Sequence, residues 1–184
     1  MSAPGQPSAW VQGADGWSTV AQDAAAMRAC GEQVGALLRP GDLVVLDGPL
    51  GAGKTTFTQG IGRALHVRGA VTSPTFVIAR NHPGPGPALV HVDAYRLGSV
   101  VEVDDLDLDA DLARAVTVVE WGAGKVEGLA EDRLEVLLRR HVGALDDAAD
   151  PAAGPREVLV RGVGPRWAGL VLPVAPPGGA TTST

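Results

Sequence analysis

Residues 48–55 constrain the fold of this 184-residue chain more than any other stretch. They read Gly, four residues, then Gly-Lys-Thr, which is the spacing of a phosphate-binding loop. The unbroken apolar run 43–46 precedes them, as in a strand buried on both faces. Apolar residues at helical spacing follow in 57–65. The pattern predicts a strand, a tight glycine turn and a helix whose N-terminus faces a phosphate.

The residue types of this loop suit a nucleotide phosphate. Glycine allows the backbone to wrap closely around an anion and to adopt positive φ. Lys54, one of only two lysines in the chain, supplies a compact charge for the outer phosphates and is a predicted catalytic residue. The Thr55 hydroxyl is suited to ligate magnesium. The predicted nucleotide-binding residues of the loop are Gly48, Leu50, Gly51, Ala52, Gly53, Lys54, Thr55 and Thr56.

Composition excludes several classes of protein. The net charge of −6 argues against a protein that grips nucleic acid unaided. Cys30 is the only cysteine, so no internal disulfide forms and a reducing compartment is expected. Residues 1–12 contain no basic group and no long apolar run, so we expect neither a secretion signal nor a membrane span. The expected location is the cytoplasm.

The length fits one domain with a proper core. We expect a flexible N-terminal segment over residues 1–17, a phosphate-loop domain over 18–163 and a flexible tail over 164–184. A helix is predicted over about residues 20–38, with Thr19 and Gln22 as a capping box.

The middle of the chain predicts a mixed sheet. The apolar runs 76–79 and 88–92 are joined by the Pro/Gly-rich connector 81–87, which is too short for a crossover helix. These two runs should therefore pair antiparallel. Further strands are predicted over 116–119, 133–140 and 156–162, with a long polar loop before the last. The acidic segment 97–114 is read as a solvated helical face in preference to a metal cluster.

Two acids end apolar strands, where ligands bind in open α/β sheets. Asp93 follows the run 88–92, and Glu120 follows 116–119. A phosphate loop needs such a carboxylate to hold magnesium or to orient water. Spacing does not decide which acid has which role, and either could simply be a strand-end or helix-capping acid.

Neighbouring residues have a functional and a structural interpretation each. Trp121 could cover the nucleotide or could be a core aromatic. Ser73 and Thr75 could form a phosphate-sensing loop or merely the turn that Pro74 imposes. His91, inside an apolar strand, is interpreted as packed and hydrogen-bonded and not as catalytic.

Four short motifs occur in a fixed order along the chain. The loop at 48–56 is followed by Ser-Pro-Thr-Phe at 73–76, by His-x-Asp-x-Tyr-Arg-Leu at 91–97 and by Val-Glu-Trp-Gly at 119–122. Together they closely resemble the TsaE family, the bacterial ATPases of tRNA threonylcarbamoyladenosine synthesis. The likeness covers about residues 18–162.

The resemblance implies an α/β, P-loop NTPase-like three-layer fold with a mixed parallel/antiparallel sheet. It implies ATP as ligand, Mg²⁺ as metal and a slow ATPase activity that partner proteins stimulate. Those partners are TsaB and TsaD, which install threonylcarbamoyl on adenosine 37 of tRNAs reading codons that begin with A. Contact with tRNA would be only indirect, through the partners.

The resemblance also assigns roles. The family's magnesium ligands match Thr55 and Glu120, and the aspartate needed for activity matches Asp93. An arginine near the nucleotide, in a late Gly-Arg-Glu turn, matches Arg156. Here Pro155 precedes that arginine, which departs from the family pattern.

Three other classes of protein compete with this assignment. A signalling GTPase requires Asn-Lys-x-Asp, but Asn81 is the only asparagine and His82 follows it. A small-molecule kinase should have an arginine-rich lid, yet loops 81–87 and 141–155 contain neither arginine nor lysine. A non-enzymatic nucleotide sensor differs from an ATPase only if Asp93 and Glu120 are idle, which phosphate release would test.

Overall fold

The computed structural model describes residues 7–74, 78–96, 113–140 and 154–173. Within these ranges the chain forms one mixed sheet and two α-helices. The strands are β1 (Val11–Gly13), β2 (Gly16–Ala21), β3 (Leu43–Asp47), β4 (Ala79–His82), β5 (Ala88–Asp93), β6 (Ala115–Glu120), β7 (Arg133–Arg140) and β8 (Arg156–Val163), and the helices are α1 (Ala24–Gly35) and α2 (Lys54–Ala64).

The strand order is β1-β2-β8-β7-β3-β6-β5-β4. Strand β3 pairs parallel with β6 and β7, and β5 pairs parallel with β6, whereas the remaining pairs are antiparallel. The predicted mixed-sheet α/β fold is therefore confirmed. Because β3, β6 and β5 are parallel neighbours, their carboxyl ends meet at one edge of the sheet, where the loop before α2 also begins.

The core lies on both faces of the sheet. The larger cluster packs α1 and α2 against one face, through residues such as Met27, Val34, Phe57 and Ile61. The helices approach closely because a Cβ atom at Gly60 would overlap the Arg28 carbonyl oxygen of α1. The smaller cluster on the other face is closed, within the described residues, by Val126, Leu129 and Ala130, which lie in no regular helix.

The predicted helix begins later than the sequence pattern indicated. Residues Gly16–Ala21 form β2, with buried and half-buried residues in strict alternation. Helix α1 then starts at Ala24, and the Asp23 carboxylate, 2.7 Å from the Ala26 amide nitrogen, caps it. The capping box of Thr19 and Gln22 is wrong because a period of two, and not of 3.6, governs this stretch.

The described parts of both segments predicted to be flexible, residues 7–17 and 164–173, contribute buried residues to the core. Trp10 is buried and its indole nitrogen donates to Gln33 Oε1 over 2.6 Å. At the other end of the chain Trp167 and Leu172 are also buried. Burying large side chains offsets the entropy lost in ordering short segments. A prediction from composition alone does not include this gain.

The antiparallel pairing predicted for the runs 76–79 and 88–92 is confirmed, but the first strand lies further along the chain than predicted. Strand β4 spans Ala79–His82, so Asn81 and His82 belong to the strand and not to the connector. Ile78 precedes it with φ of 67°, a left-handed conformation that does not occur in a strand.

Several predictions lie partly or mostly outside the described residues: the start of the N-terminal segment (1–6), Thr75 with the first two residues of the run 76–79, most of the acidic segment (97–112), most of the polar loop (141–153) and the end of the tail (174–184). None of the helices in the described ranges is long and apolar enough to cross a membrane.

Candidate nucleotide-binding site

The loop between β3 and α2 is shaped by glycines. Gly48 has φ of 144°, and a Cβ atom there would lie 2.5 Å from the Leu138 carbonyl oxygen. Gly53 has φ of 100° and precedes the first residue of α2. No side chain in the described ranges caps this N-terminus. The first turn of α2 is thus arranged to receive an anion.

A cavity of about 680 Å³ opens above this loop. The predicted residues that line it are Leu50, Gly51, Ala52, Gly53, Lys54, Thr55, Thr56, Asp93, Glu120, Trp121 and Arg156. Ser73, which the sequence left between two interpretations, also lines it. Gly48 is not among the lining residues, and its carbonyl group accepts a hydrogen bond from Lys54.

The sequence did not reveal one wall of the cavity. Most of this wall comes from the end of β2 and the start of α1, and Gly154, two residues before Arg156, completes it. Its residues are Ala21, Gln22, Asp23, Ala24, Met27 and Gly154. Asp23 is a residue type that often caps helices, so the sequence did contain a local signal that α1 begins here.

Lys54 is buried at the base of the cavity. Its Nζ donates to the carbonyl oxygens of Gly48 and Pro49 over 2.7 and 3.1 Å. Burial lowers the pKa of Lys54, while the nearby carboxylates of Glu120, Asp47 and Asp93 act in the opposite direction. A phosphate bound at this position would add a further negative charge beside this buried ammonium and favour its protonated form.

Thr55 and Glu120 are in direct contact. The Thr55 hydroxyl donates to Glu120 Oε1 over 2.9 Å, and Glu120 is buried at the end of β6. Both are oxygen donors of the kind that Mg²⁺ prefers, and few protein ligands suffice when phosphate oxygens and water complete the shell. The two residues therefore fit the metal that the sequence predicted. In the described ranges no group of three or more His, Cys, Asp or Glu side chains forms an alternative metal site.

Asp93 lies beside Glu120 at the same sheet edge, because the two residues are register partners in β5 and β6. Asp93 is buried, and one of its carboxylate oxygens accepts the Tyr95 amide proton over 3.0 Å. The structure thus brings both candidate acids into the cavity. Their division of roles stays a prediction.

Trp121 belongs to the cavity wall and not to the core. It has φ of 60°, a conformation that costs a non-glycine residue about 1–3 kcal/mol. Its amide donates to the Leu46 carbonyl over 2.9 Å, which ties the turn after β6 to β3. The ring packs against Tyr95, with 5.2 Å between ring centres. This strained turn holds an aromatic ring beside Lys54.

Arg156 is buried at the start of β8, on the far side of the cavity. Its Nη1 donates to the carbonyl oxygens of Gly154 and Pro155 over 3.0 and 3.2 Å. Pro155 therefore does not displace the guanidinium from the site. Arg156 is placed to meet a negatively charged ligand from the side opposite Asp93 and Glu120.

A buried parallel strand, a glycine loop with Lys54 at its end and acids on the neighbouring strands define a P-loop NTPase-like α/β protein. Comparison with known families agrees. The family model described as "Threonylcarbamoyl adenosine biosynthesis protein TsaE" matches residues 21–144. The chain belongs to the TsaE family.

Individual relatives carry the same description. A "tRNA threonylcarbamoyladenosine biosynthesis protein TsaE" from Streptomyces coelicolor is 61% identical over 145 residues, covering 77% of this chain and 94% of that protein. One from Bacillus subtilis is 36% identical over 152 residues, covering 82% and 87%. A crystal structure of Bacillus subtilis YdiB superposes with a TM-score of 0.62 at 31% identity, covering 82% of this chain and 87% of that one.

Proposed function

We propose that this protein binds ATP with Mg²⁺ and hydrolyses it, as a step in tRNA threonylcarbamoyladenosine biosynthesis. The observation that carries the proposal is the 2.9 Å contact of Thr55 with Glu120, next to the buried ammonium group of Lys54. A phosphate-binding helix N-terminus, a metal-binding oxygen pair and a fixed cation converge at one point of the cavity. That combination is better suited to bind a nucleoside triphosphate than an uncharged ligand.

Each side chain has a distinct role in this proposal. Lys54 and the first-turn amides of α2 hold the outer phosphates. Thr55 and Glu120 hold Mg²⁺, which supplies charge neutralisation at the phosphate oxygens when bound. Asp93, beside Glu120, orients the attacking water. The Tyr95 backbone amide donates to Asp93 and helps to hold its carboxylate in place.

We further propose that hydrolysis acts as a switch for partner proteins, TsaB and TsaD, and that the work is done in the cytoplasm. The chain has a net charge of −6, so a partner with a basic face is better suited to hold the tRNA.

A reconstitution tests this function. Purified chain is combined with TsaB and TsaD from the same organism, tRNA and the threonylcarbamoyl precursor, and both phosphate release and modified adenosine are measured. We expect weak ATPase activity alone, stimulation by the partner pair, and repeated rounds of modification only when the chain is present. Modification at full turnover without the chain would overturn the proposal.

The variant that tests the assigned chemistry is Asp93→Ala. It should bind ATP with nearly unchanged affinity but fail to support repeated rounds. Asp15→Ala, in the exposed turn between β1 and β2, removes an equal charge far from the cavity and should behave as wild type. Equal activity of Asp93→Ala and wild type would exclude Asp93 from the reaction.

A further inference from the structure

His91 lies in β5, two residues before Asp93, and its side chain is completely buried. Residues two apart along a strand share a face of the sheet. His91 Nε2 lies 2.8 Å from Glu120 Oε1, between neighbouring parallel strands. We propose that His91 is a positioning residue which fixes the Glu120 carboxylate for Mg²⁺. This inference rests on the proposed function of the same site.

The two hydrogen bonds to Glu120 converge on one oxygen. Oε1 accepts from the Thr55 hydroxyl and faces His91 Nε2, and neither contact uses Oε2. Two donors on one oxygen, from two different directions, define the rotation of the carboxylate plane. A ligand of fixed orientation binds a metal more tightly than one that must be ordered first, because less rotational freedom is lost on binding.

The geometry also determines which ring nitrogen carries the proton. A carboxylate oxygen only accepts hydrogen bonds, so the 2.8 Å contact requires a hydrogen on Nε2. His91 Nδ1 has no hydrogen-bond partner in the described ranges. A hydrogen there would be a buried donor without an acceptor, which is costly. Both observations select the Nε2–H tautomer.

The nearest histidine does not offer a competing arrangement. The His82 ring lies on β4 with 6.4 Å between the ring centres, which is too far for a hydrogen bond between the rings. His91 is therefore held by its packing and by Glu120. Its single polar contact in the described ranges is directed at the proposed metal ligand, which a histidine serving only as a core filler would not need.

The test compares two substitutions of His91. His91→Leu removes the donor and keeps a buried apolar side chain. His91→Gln keeps a donor, since the glutamine amide nitrogen is as many bonds from Cα as the histidine Nε2. Val90→Ala, on the same strand and also buried, is the control for general loss of packing. Binding of a fluorescent ATP analogue is measured by titration with Mg²⁺ and repeated in EDTA.

We expect His91→Leu to raise the Mg²⁺ concentration for half-saturation about 10- to 100-fold, as loss of an outer-shell partner does. Affinity in EDTA should be unchanged, His91→Gln should restore most of the Mg²⁺ response, and Val90→Ala should respond as wild type. A wild-type Mg²⁺ response in His91→Leu would overturn the proposal. So would an equal shift in Val90→Ala, because packing alone would then account for it.

An NMR measurement tests the contact in the wild-type protein, without nucleotide. Long-range ¹H–¹⁵N correlation of the histidine rings should show His91 as the Nε2–H tautomer, and Glu120→Gln should shift the Nε2 resonance. The Nδ1–H tautomer would overturn the positioning role. If the wild-type chain fails to bind ATP, the proposed function fails, while the NMR result still decides separately whether His91 holds Glu120.

Discussion

The Lys54 ammonium nitrogen lies 3.6 Å from the centre of the Trp121 ring, while it donates to the carbonyl oxygens of Gly48 and Pro49. The cation is thus satisfied by the face of an aromatic ring and by its own loop. An incoming phosphate competes for Lys54 with these groups. Its negative charge favours the exchange, since two opposite charges attract each other more strongly than a cation attracts a neutral carbonyl group.

Lys54→Ala should weaken ATP binding and slow hydrolysis by about 100-fold or more, because one fixed cation at developing charge contributes roughly that much. Fluorescent-nucleotide binding and phosphate release measure the two effects. Arg63→Ala removes a cation from the exposed end of the same helix, where it pairs with Glu32, and should have no effect. Full activity in Lys54→Ala would show that the loop is not the nucleotide site.

Glu120→Gln should remove the response of hydrolysis to Mg²⁺ and preserve nucleotide binding in EDTA. The substitution retains the shape of the side chain and takes away its charge, which a hard divalent cation requires. The measurement is the phosphate-release rate against Mg²⁺ concentration. Glu32→Gln, at an exposed position of α1, serves as control. An unchanged Mg²⁺ response would transfer the ligand role to Asp93.

ATP binding should take up protons at alkaline pH. Burial lowers the pKa of Lys54, so the free protein loses this proton at a lower pH than an ordinary lysine does. A bound phosphate stabilises the ammonium form and raises that pKa again. Affinity should therefore fall as the pH rises into the alkaline range, beginning below the pH at which an ordinary lysine loses its proton.

Calorimetry in two buffers of different ionisation enthalpy measures this uptake. Lys54→Arg is the matched control, because a guanidinium group keeps its proton throughout this range. Proton uptake of equal size in wild type and Lys54→Arg would assign the titration to another group.

Gly60→Ala should destabilise the fold by about 1–3 kcal/mol, although alanine favours helices, because its methyl group would overlap the Arg28 carbonyl oxygen of α1. Urea unfolding gives the free energy. Gly169→Ala, where an added Cβ meets nothing within 4 Å, should be neutral. If Gly60→Ala and Gly169→Ala had the same free energy of unfolding, α1 and α2 could move apart without loss of stability.

The reactivity of Cys30 gives an independent measure of unfolding in the same variants. Burial raises the pKa of this thiol to about 12, so the folded protein should react very slowly with thiol reagents.

Local features of the chain were predicted well. The loop at 48–55 and the start of α2 follow from glycine conformation and helix periodicity, which act over a few residues. Strands β6 and β7 also appear where continuous apolar runs or alternation place them. Prediction failed where two periodicities overlapped, as in β2, and where short segments gained order from distant contacts, as Trp10 does with Gln33.

The chemistry of the site is divided in the same way. The amino-acid sequence alone determined which residue types are present: a lysine and a threonine at the end of the loop, and acids at the ends of two strands. Tertiary structure decided which of them meet. The contacts of Glu120 with Thr55 and His91 join residues 65 and 29 positions apart in the chain. The pairing of β5, β6 and β3 in one sheet creates those contacts, and strand pairing depends on long-range packing that no local pattern encodes.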